Sequence, residues 1–156
     1  MLDLVWLVPA FPLAGFLILT FGGRRLGEPT AGWLATGAMA GSFLATAGAF
    51  YDLAGRDVHD RRSVTTLFEW VPAGDLTVDV GFLADPLSLT MCLFVTGVGA
   101  LIHLYSIGYM HGDADFRRFF AYLNLFAFAM LMLVLGDNLL LTFLGWEGGG
   151  ACSYLL

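Results

Sequence analysis

Long apolar runs dominate the pattern of hydrophobic and polar positions along this chain. At a rise of about 1.5 Å per residue, about 20 residues cross a hydrocarbon core of about 30 Å. A segment exposed to lipid must satisfy its own backbone hydrogen bonds, so each such run is predicted to be a helix. The sequence contains five of them, over residues 4–21, 32–51, 86–108, 119–135 and 139–156.

The connection between the second and third runs has a different pattern. Hydrophobic residues alternate with polar residues or glycine from Leu76 to Phe82, which predicts a strand, and residues 64–70 form a β-rich partner. The five residues 71–75 suit a turn between them. The sequence therefore predicts an all-α membrane protein of about five transmembrane helices over residues 1–156, with a small external β-hairpin over about residues 64–83. Because an isolated hairpin is marginal in water, it should rest on the helix ends or on a partner subunit.

Several helix boundaries carry capping signals. Asp85 offers a side-chain acceptor before Pro86, and the pair Asp137-Asn138 is predicted to cap the fifth helix. Pro9 and Pro12 lie inside the first run, which should therefore be kinked or irregular.

Small residues dominate the second run. Its Gly37 and Gly41 have the spacing of a GxxxG pair, which permits close contact between membrane helices.

Composition supports the membrane assignment. Hydrophobic residues make up 58% of the chain and charged residues only 13%, against roughly a quarter in soluble domains. The net charge of −6 argues against a nucleic-acid partner. Cys92 and Cys152 fall on different predicted helices, so they are expected to be packing groups rather than a disulfide or a metal site.

Arginine placement gives a weak orientation signal. By the positive-inside rule, the connections on the arginine-rich side face the cytoplasm and the N-terminus lies outside. The two short connections hold Arg24, Arg25, Arg117 and Arg118, and the opposing loop holds Arg56, Arg61 and Arg62.

Three polar side chains within the apolar runs are candidates for function. An acid near the centre of a membrane helix costs about 2.5–3.5 kcal/mol on insertion scales, so such residues usually face a bundle interior and mark ion or proton paths. Glu147 is therefore the strongest candidate, and the alternative is a protonated acid hydrogen-bonded to a neighbouring helix. His103 fits either a proton relay or a neutral ring bonded to a backbone carbonyl or hydroxyl. Asn124 is expected to make an interhelical hydrogen bond.

Motifs for soluble catalysis or cofactor binding are absent from the sequence. It contains no CxxC, no glycine-rich phosphate loop after a strand, no nucleophile elbow and no His/Cys cluster with metal-ligand spacing. The chain is expected to bind no nicotinamide, flavin, iron–sulfur cluster or metal itself.

Several segments nevertheless resemble one family. ADPLSLTM, GVGALIHLYSIGYM, GDADFRRFFAYLNLF, DNLLLTFLGWEG and CSYLL, in this order, are similar to the L subunit of bacterial NADH-quinone oxidoreductase, respiratory complex I. LVPAFPLAGF and FEWVPAG fit the same family, and the resemblance covers essentially the whole chain.

The resemblance implies a proton-translocating, antiporter-like subunit of the bacterial inner membrane, with a periplasmic N-terminus. Its partners would be lipid and the other membrane subunits of complex I. NADH, FMN, iron–sulfur clusters and quinone would be used by other subunits. The glutamate of the family's GWEG motif corresponds to Glu147, and lysines on later helices work with it.

Two departures from the family leave alternatives open. Gly149 stands where valine is usual and Ala151 where leucine is usual, which leaves three consecutive glycines and less side-chain packing beside the acid. The chain contains no lysine, and the resemblance covers only about the first quarter of such a subunit. A multi-pass structural or assembly protein that pumps nothing, or a subunit of a multisubunit sodium/proton antiporter, therefore remains possible beside the proton-translocating interpretation.

Overall fold

A computed structural model of the chain describes residues 2–22, 26–73 and 76–156. Its long elements are five α-helices and one antiparallel pair of strands, which confirms the predicted fold class. The helices are α1 (Leu7–Gly22), α2 (Thr30–Ala54), α3 (Pro86–Tyr109), α4 (Phe116–Leu135) and α5 (Leu139–Leu155). The strands are β1 (Ser63–Ala73) and β2 (Leu76–Ala84), and short 3-10 turns lie at Leu2–Leu4 and Val58–Asp60.

Among the described residues, four segments are long and apolar enough to cross a membrane. They are Leu2–Gly22, Thr30–Ala54, Pro86–Tyr109 and Phe116–Leu135. Helix α5 has 17 residues, so its crossing stays a prediction.

Successive helices run in opposite directions around two buried apolar clusters. One cluster lies at the hairpin end and contains Val8 near the start of α1, Leu53 near the end of α2 and Leu89 near the start of α3. The other lies at the opposite end and contains Leu19, Phe116 and Phe120. The chain thus forms a bundle in which α5 packs against α4, while α3 contacts both α2 and α4.

The hairpin covers one end of this bundle. Val80, Phe82 and Ala84 are buried in the first cluster, as the alternating pattern of β2 predicts. Strand β1 continues through Ala73, so residues 71–73 belong to the strand rather than to the predicted turn. The register shifts between Thr66 and Phe68 and between Glu69 and Val71, and residues 74 and 75 lie outside the described residues.

Side-chain caps mark the first residues of α3, which follows the hairpin, and of α5, which follows α4. Asp85 accepts a hydrogen bond from the Ser88 backbone N–H at 2.7 Å, and the Ser88 hydroxyl in turn accepts from the Asp85 backbone N–H at 2.9 Å. Asn138, rather than Asp137, caps α5, because its Oδ1 accepts from the Leu141 N–H at 2.9 Å.

The α4–α5 connection also holds the hairpin. Asn138 Nδ2 donates to the carbonyl oxygen of Asp79 at 2.8 Å, and the Asp137 N–H donates to that of Gly81 at 3.2 Å. The carboxyl of Asp137 lies over Gly81, where a Cβ would collide with it. The hairpin therefore rests on the helix ends, one of the two supports expected from the sequence.

Pro12 lies in the interior of α1 and has no N–H to donate to the carbonyl oxygen of Val8. The buried hydroxyl of Ser42 on α2 donates to that oxygen at 2.6 Å. A side chain of the neighbouring helix thus supplies the hydrogen bond that proline removes.

The predicted GxxxG pair does not form one contact face. A Cβ on Gly41 would lie 3.0 Å from the ring of Phe11, but a Cβ on Gly37 would meet nothing within 4 Å. The two glycines are four residues apart on α2, so they differ by about 40° of rotation around the helix and by one turn along it. Where helices cross at an angle, this difference is enough for one glycine to contact the neighbouring helix and the other to miss it.

Candidate functional site

Glu147 occupies the centre of α5. The helix runs from Leu139 to Leu155, so the acid lies eight residues from each end. This position agrees with the sequence-based expectation of a carboxyl far from the helix termini.

The two sides of α5 differ in character. Leu141, Gly145, Gly149 and Cys152 are buried along one side. Successive residues are about 100° apart on a helix, so Glu147 lies about 200° from Gly145, on the opposite side. Glu147 is accordingly exposed in the structure.

Within the five described helices, the acid does not face the α4 contact, and its expected position in a bundle interior stays a prediction. Its side of the helix also presents the large apolar side chains of Phe143 and Tyr154, which are 58% and 90% exposed. Among the described residues, no ion pair involves Glu147. The acid therefore lies on a surface of α5 that α4 leaves uncovered.

Glycines bring the opposite side of α5 close to α4. A Cβ on Gly145 would lie 2.5 Å from the backbone nitrogen of Leu133 and 2.8 Å from the carbonyl oxygen of Ala129. A Cβ on Gly148 would lie 3.2 Å from the Ala129 Cβ, whereas one on Gly150 would meet nothing within 4 Å. Within the expected glycine run, only Gly150 lies in open space; Gly148 lies against α4.

His103 has a different environment from Glu147. Its side chain on α3 is only 1% exposed, and its Nδ1 lies 2.7 Å from the carbonyl oxygen of Gly99, one turn earlier. The Nε2 atom is buried without a hydrogen-bond partner among the described residues. The contact of Nδ1 matches the alternative in which the ring bonds to a backbone carbonyl. The proton-relay role of His103 stays a prediction.

Asn124 on α4 is fully buried, and its bonding differs from the expectation. Its Nδ2 donates to the carbonyl oxygen of Phe120 at 3.1 Å, within its own helix, rather than to another helix. Its Oδ1 is buried with no partner among the described residues. Gly15 on α1 faces this oxygen so closely that a Cβ there would lie 2.7 Å from it.

The structure does not bring the two predicted proton-path residues together. Glu147 is exposed on α5, whereas His103 is buried on α3 beside α4. Phe120 of α4 has its ring centroid 6.3 Å from the His103 ring. Sequence reasoning placed both residues within helices but gave no rotation about the helix axes, so their separation could not be anticipated.

Within the described part of the chain, the cysteines and the other ligand-type residues form no cluster that could hold a metal. Cys92 and Cys152 are both free and buried. No group of three or more His, Cys, Asp or Glu side chains is suitably placed within residues 2–22, 26–73 and 76–156.

The chain is similar in sequence to a known family of membrane subunits. Residues 70–120 match the family described as "NADH-Ubiquinone oxidoreductase (complex I), chain 5 N-terminus". NADH-quinone oxidoreductase subunit L of Mycobacterium tuberculosis is 49% identical over 154 residues, which cover 97% of this chain and 24% of that protein. The Escherichia coli subunit L is 41% identical over 157 residues, covering 99% of this chain and 25% of that protein.

A solved structure shares the fold as well. A chain in "Structure of Mrp complex from Dietzia sp. DQ12-45-1b" has 28% identity and a TM-score of 0.77, with 97% of this chain and 15% of that chain covered. The present chain spans about a quarter of the length of the subunit L relatives that it matches.

Proposed function

Because this chain belongs to the family of NADH-quinone oxidoreductase subunit L and corresponds to its N-terminal part, we propose that it is part of a proton-translocating membrane subunit. In this role it couples NADH oxidation and quinone reduction by the complex to proton transport. Identities of 41–49% to subunit L proteins over nearly the whole chain support this assignment.

The observation that carries the mechanism is the position of Glu147. It lies at the centre of α5 on the side opposite the α4 contact, so its carboxyl is open to other parts of the protein assembly. An acid at the middle of a membrane helix typically belongs to an ion or proton path. In our proposal, Glu147 therefore takes up and releases a proton. His103 is the weaker candidate for a second group on the proton path.

Redox chemistry belongs to other subunits in this proposal. NADH, FMN, iron–sulfur clusters and quinone are bound elsewhere in the complex, while this chain contacts lipid and neighbouring membrane subunits and no nucleic acid. Its contribution to the activity is to hold and transfer protons.

A charge-removing substitution tests the assignment. Glu147→Gln keeps the shape of the side chain and removes its titratable group, so it should lower proton pumping and coupled quinone reduction several-fold with little loss of assembly. Both rates are measured in membrane vesicles that contain the complete complex. Glu69→Gln on strand β1 is the matched control, because it removes an exposed acid outside the helices. Normal pumping by an assembled Glu147→Gln complex would show that the role is wrong.

The location also remains a proposal. We place the protein in the bacterial inner membrane with its N-terminus and hairpin on the periplasmic side, as the arginine distribution favours. A membrane-impermeant maleimide added to intact cells should label Ser63→Cys at the hairpin and not Asp113→Cys between α3 and α4. The reverse labelling pattern would invert the orientation.

A second candidate function is a subunit of a multisubunit sodium/proton antiporter. The likeness to a chain of the Mrp complex favours it, although that identity of 28% is lower than the identities to subunit L. Antiport predicts that a sodium gradient drives proton movement without NADH, whereas the main proposal predicts NADH-dependent pumping.

A further inference from the structure

Two buried hydrogen-bonding atoms of the bundle have no partner within the described residues. They are His103 Nε2 on α3 and Asn124 Oδ1 on α4, and their side chains are 1% and 0% exposed. An unsatisfied buried polar atom costs about 1–3 kcal/mol, so native interiors usually supply a partner, often an ordered water.

The chemistry of both atoms calls for a hydrogen-bond donor. A backbone carbonyl only accepts, so the 2.7 Å contact with the oxygen of Gly99 means that His103 Nδ1 carries the hydrogen. In the neutral ring, Nε2 then presents a lone pair. Asn124 Oδ1 is also an acceptor, because the amide nitrogen of that side chain is already bonded to the carbonyl oxygen of Phe120.

Phe120 lies beside both side chains. Its ring approaches the His103 ring, with centroids 6.3 Å apart, and its carbonyl oxygen binds Asn124 one turn further along α4. The groove next to His103, of about 180 Å³, is lined by apolar side chains such as Val98, Leu123 and Met130. The described lining of that groove contains no Asp, Glu or Arg that could serve as the missing partner.

We propose that the interior of this bundle binds water at His103 Nε2 and at Asn124 Oδ1. Water donates hydrogens and is small, so it can satisfy a buried acceptor that no described side chain reaches. Gly15 lies against Asn124 Oδ1, because a Cβ there would lie 2.7 Å from that oxygen. The site differs from Glu147, which lies on the exposed side of α5.

Such a site would let His103 exchange a proton with water through Nε2 while Nδ1 keeps its bond to Gly99. This consequence deepens the proposed function, but the hydration itself does not depend on it. A spectroscopic test of water contact therefore fails or succeeds independently of the pumping assay on Glu147.

Water-edited solid-state NMR of the isotope-labelled chain in lipid nanodiscs tests the proposal directly. Magnetisation should pass from water to the His103 ring and to the Asn124 side-chain amide in the unsubstituted protein. Absence of transfer at either side chain would overturn the proposal, whatever the variants do.

A variant at Gly15 tests whether Asn124 Oδ1 itself binds the water. Gly15→Ala crowds this oxygen, so it should reduce water transfer to the Asn124 amide several-fold. Thr96→Val is the matched control, because Thr96 is a buried polar residue on α3 whose hydroxyl already donates to the carbonyl oxygen of Cys92 at 2.6 Å. Unchanged transfer to the Asn124 amide in Gly15→Ala would overturn the proposed water at Asn124 Oδ1.

Discussion

Ser42 on α2 donates a hydrogen bond to the carbonyl oxygen of Val8 on α1, the acceptor that Pro12 leaves without its usual helical donor. The two residues are 34 positions apart in sequence, and the contact is buried. A proline on one membrane helix is thereby matched by a hydroxyl on the next.

This relationship predicts a non-additive pair of substitutions. Ser42→Ala leaves the Val8 carbonyl unsatisfied and should lower the free energy of unfolding by about 1 kcal/mol. In a Pro12→Ala background the backbone N–H of residue 12 can bond to Val8, so the same Ser42 substitution should cost clearly less. Unfolding in mixed micelles measures all four proteins of the cycle.

The control for this cycle is Thr36→Ala, because the Thr36 hydroxyl donates to the carbonyl oxygen of Gly32 within α2. Its cost should be the same with or without Pro12. An equal cost of Ser42→Ala in both backgrounds would refute the compensation.

The contact between α4 and α5 predicts a sharp difference between two glycines of one helix. Gly145→Ala places a Cβ against the backbone of Leu133 and Ala129, so it should destabilise the protein by about 1–3 kcal/mol. Gly150→Ala adds the same methyl group in open space and should leave the melting temperature in detergent nearly unchanged. Similar melting temperatures for the two variants would contradict the close helix approach.

Asn138 has two separable roles, in capping α5 and in holding the hairpin. Asn138→Ala removes both bonds and should cost about 1–2 kcal/mol. Asn138→Ser keeps an oxygen that can cap Leu141 but is too short to replace the amide that donates to Asp79. Hydrogen exchange should therefore accelerate in β2 for both variants, and at the start of α5 only for Asn138→Ala. Unchanged exchange in β2 would show that Asn138 does not hold the hairpin.

The sequence predicted the elements well because their signals are local. Apolar length indicated the helices, alternation indicated β2, and Asp85-Pro86 marked the start of α3 with a capping side chain that the structure confirms. The partner in that cap, Ser88, was not predicted, although its position three residues later is that of a capping box.

The same signals could not predict how each helix is rotated about its own axis, and therefore which of its sides faces a neighbour. Apolar residues surround α5 on all sides, so its pattern did not show which side faces α4, and Glu147 was expected to face inward. The bond from Ser42 to Val8 joins two helices, and Pro12 alone indicated only that a donor was missing from α1. The partners of Asn124 likewise depend on which turn of α4 faces Gly15.

The glycines at 145 and 148 set how far the carboxyl of Glu147 lies from the bundle axis. They let α5 approach α4 to backbone contact, and Glu147 projects from the far side of the same helix. Any bulkier residue at these positions would displace α5 and carry the acid outward with it. The position of the carboxyl is thus controlled through the helix backbone, by residues that have no side chain of their own.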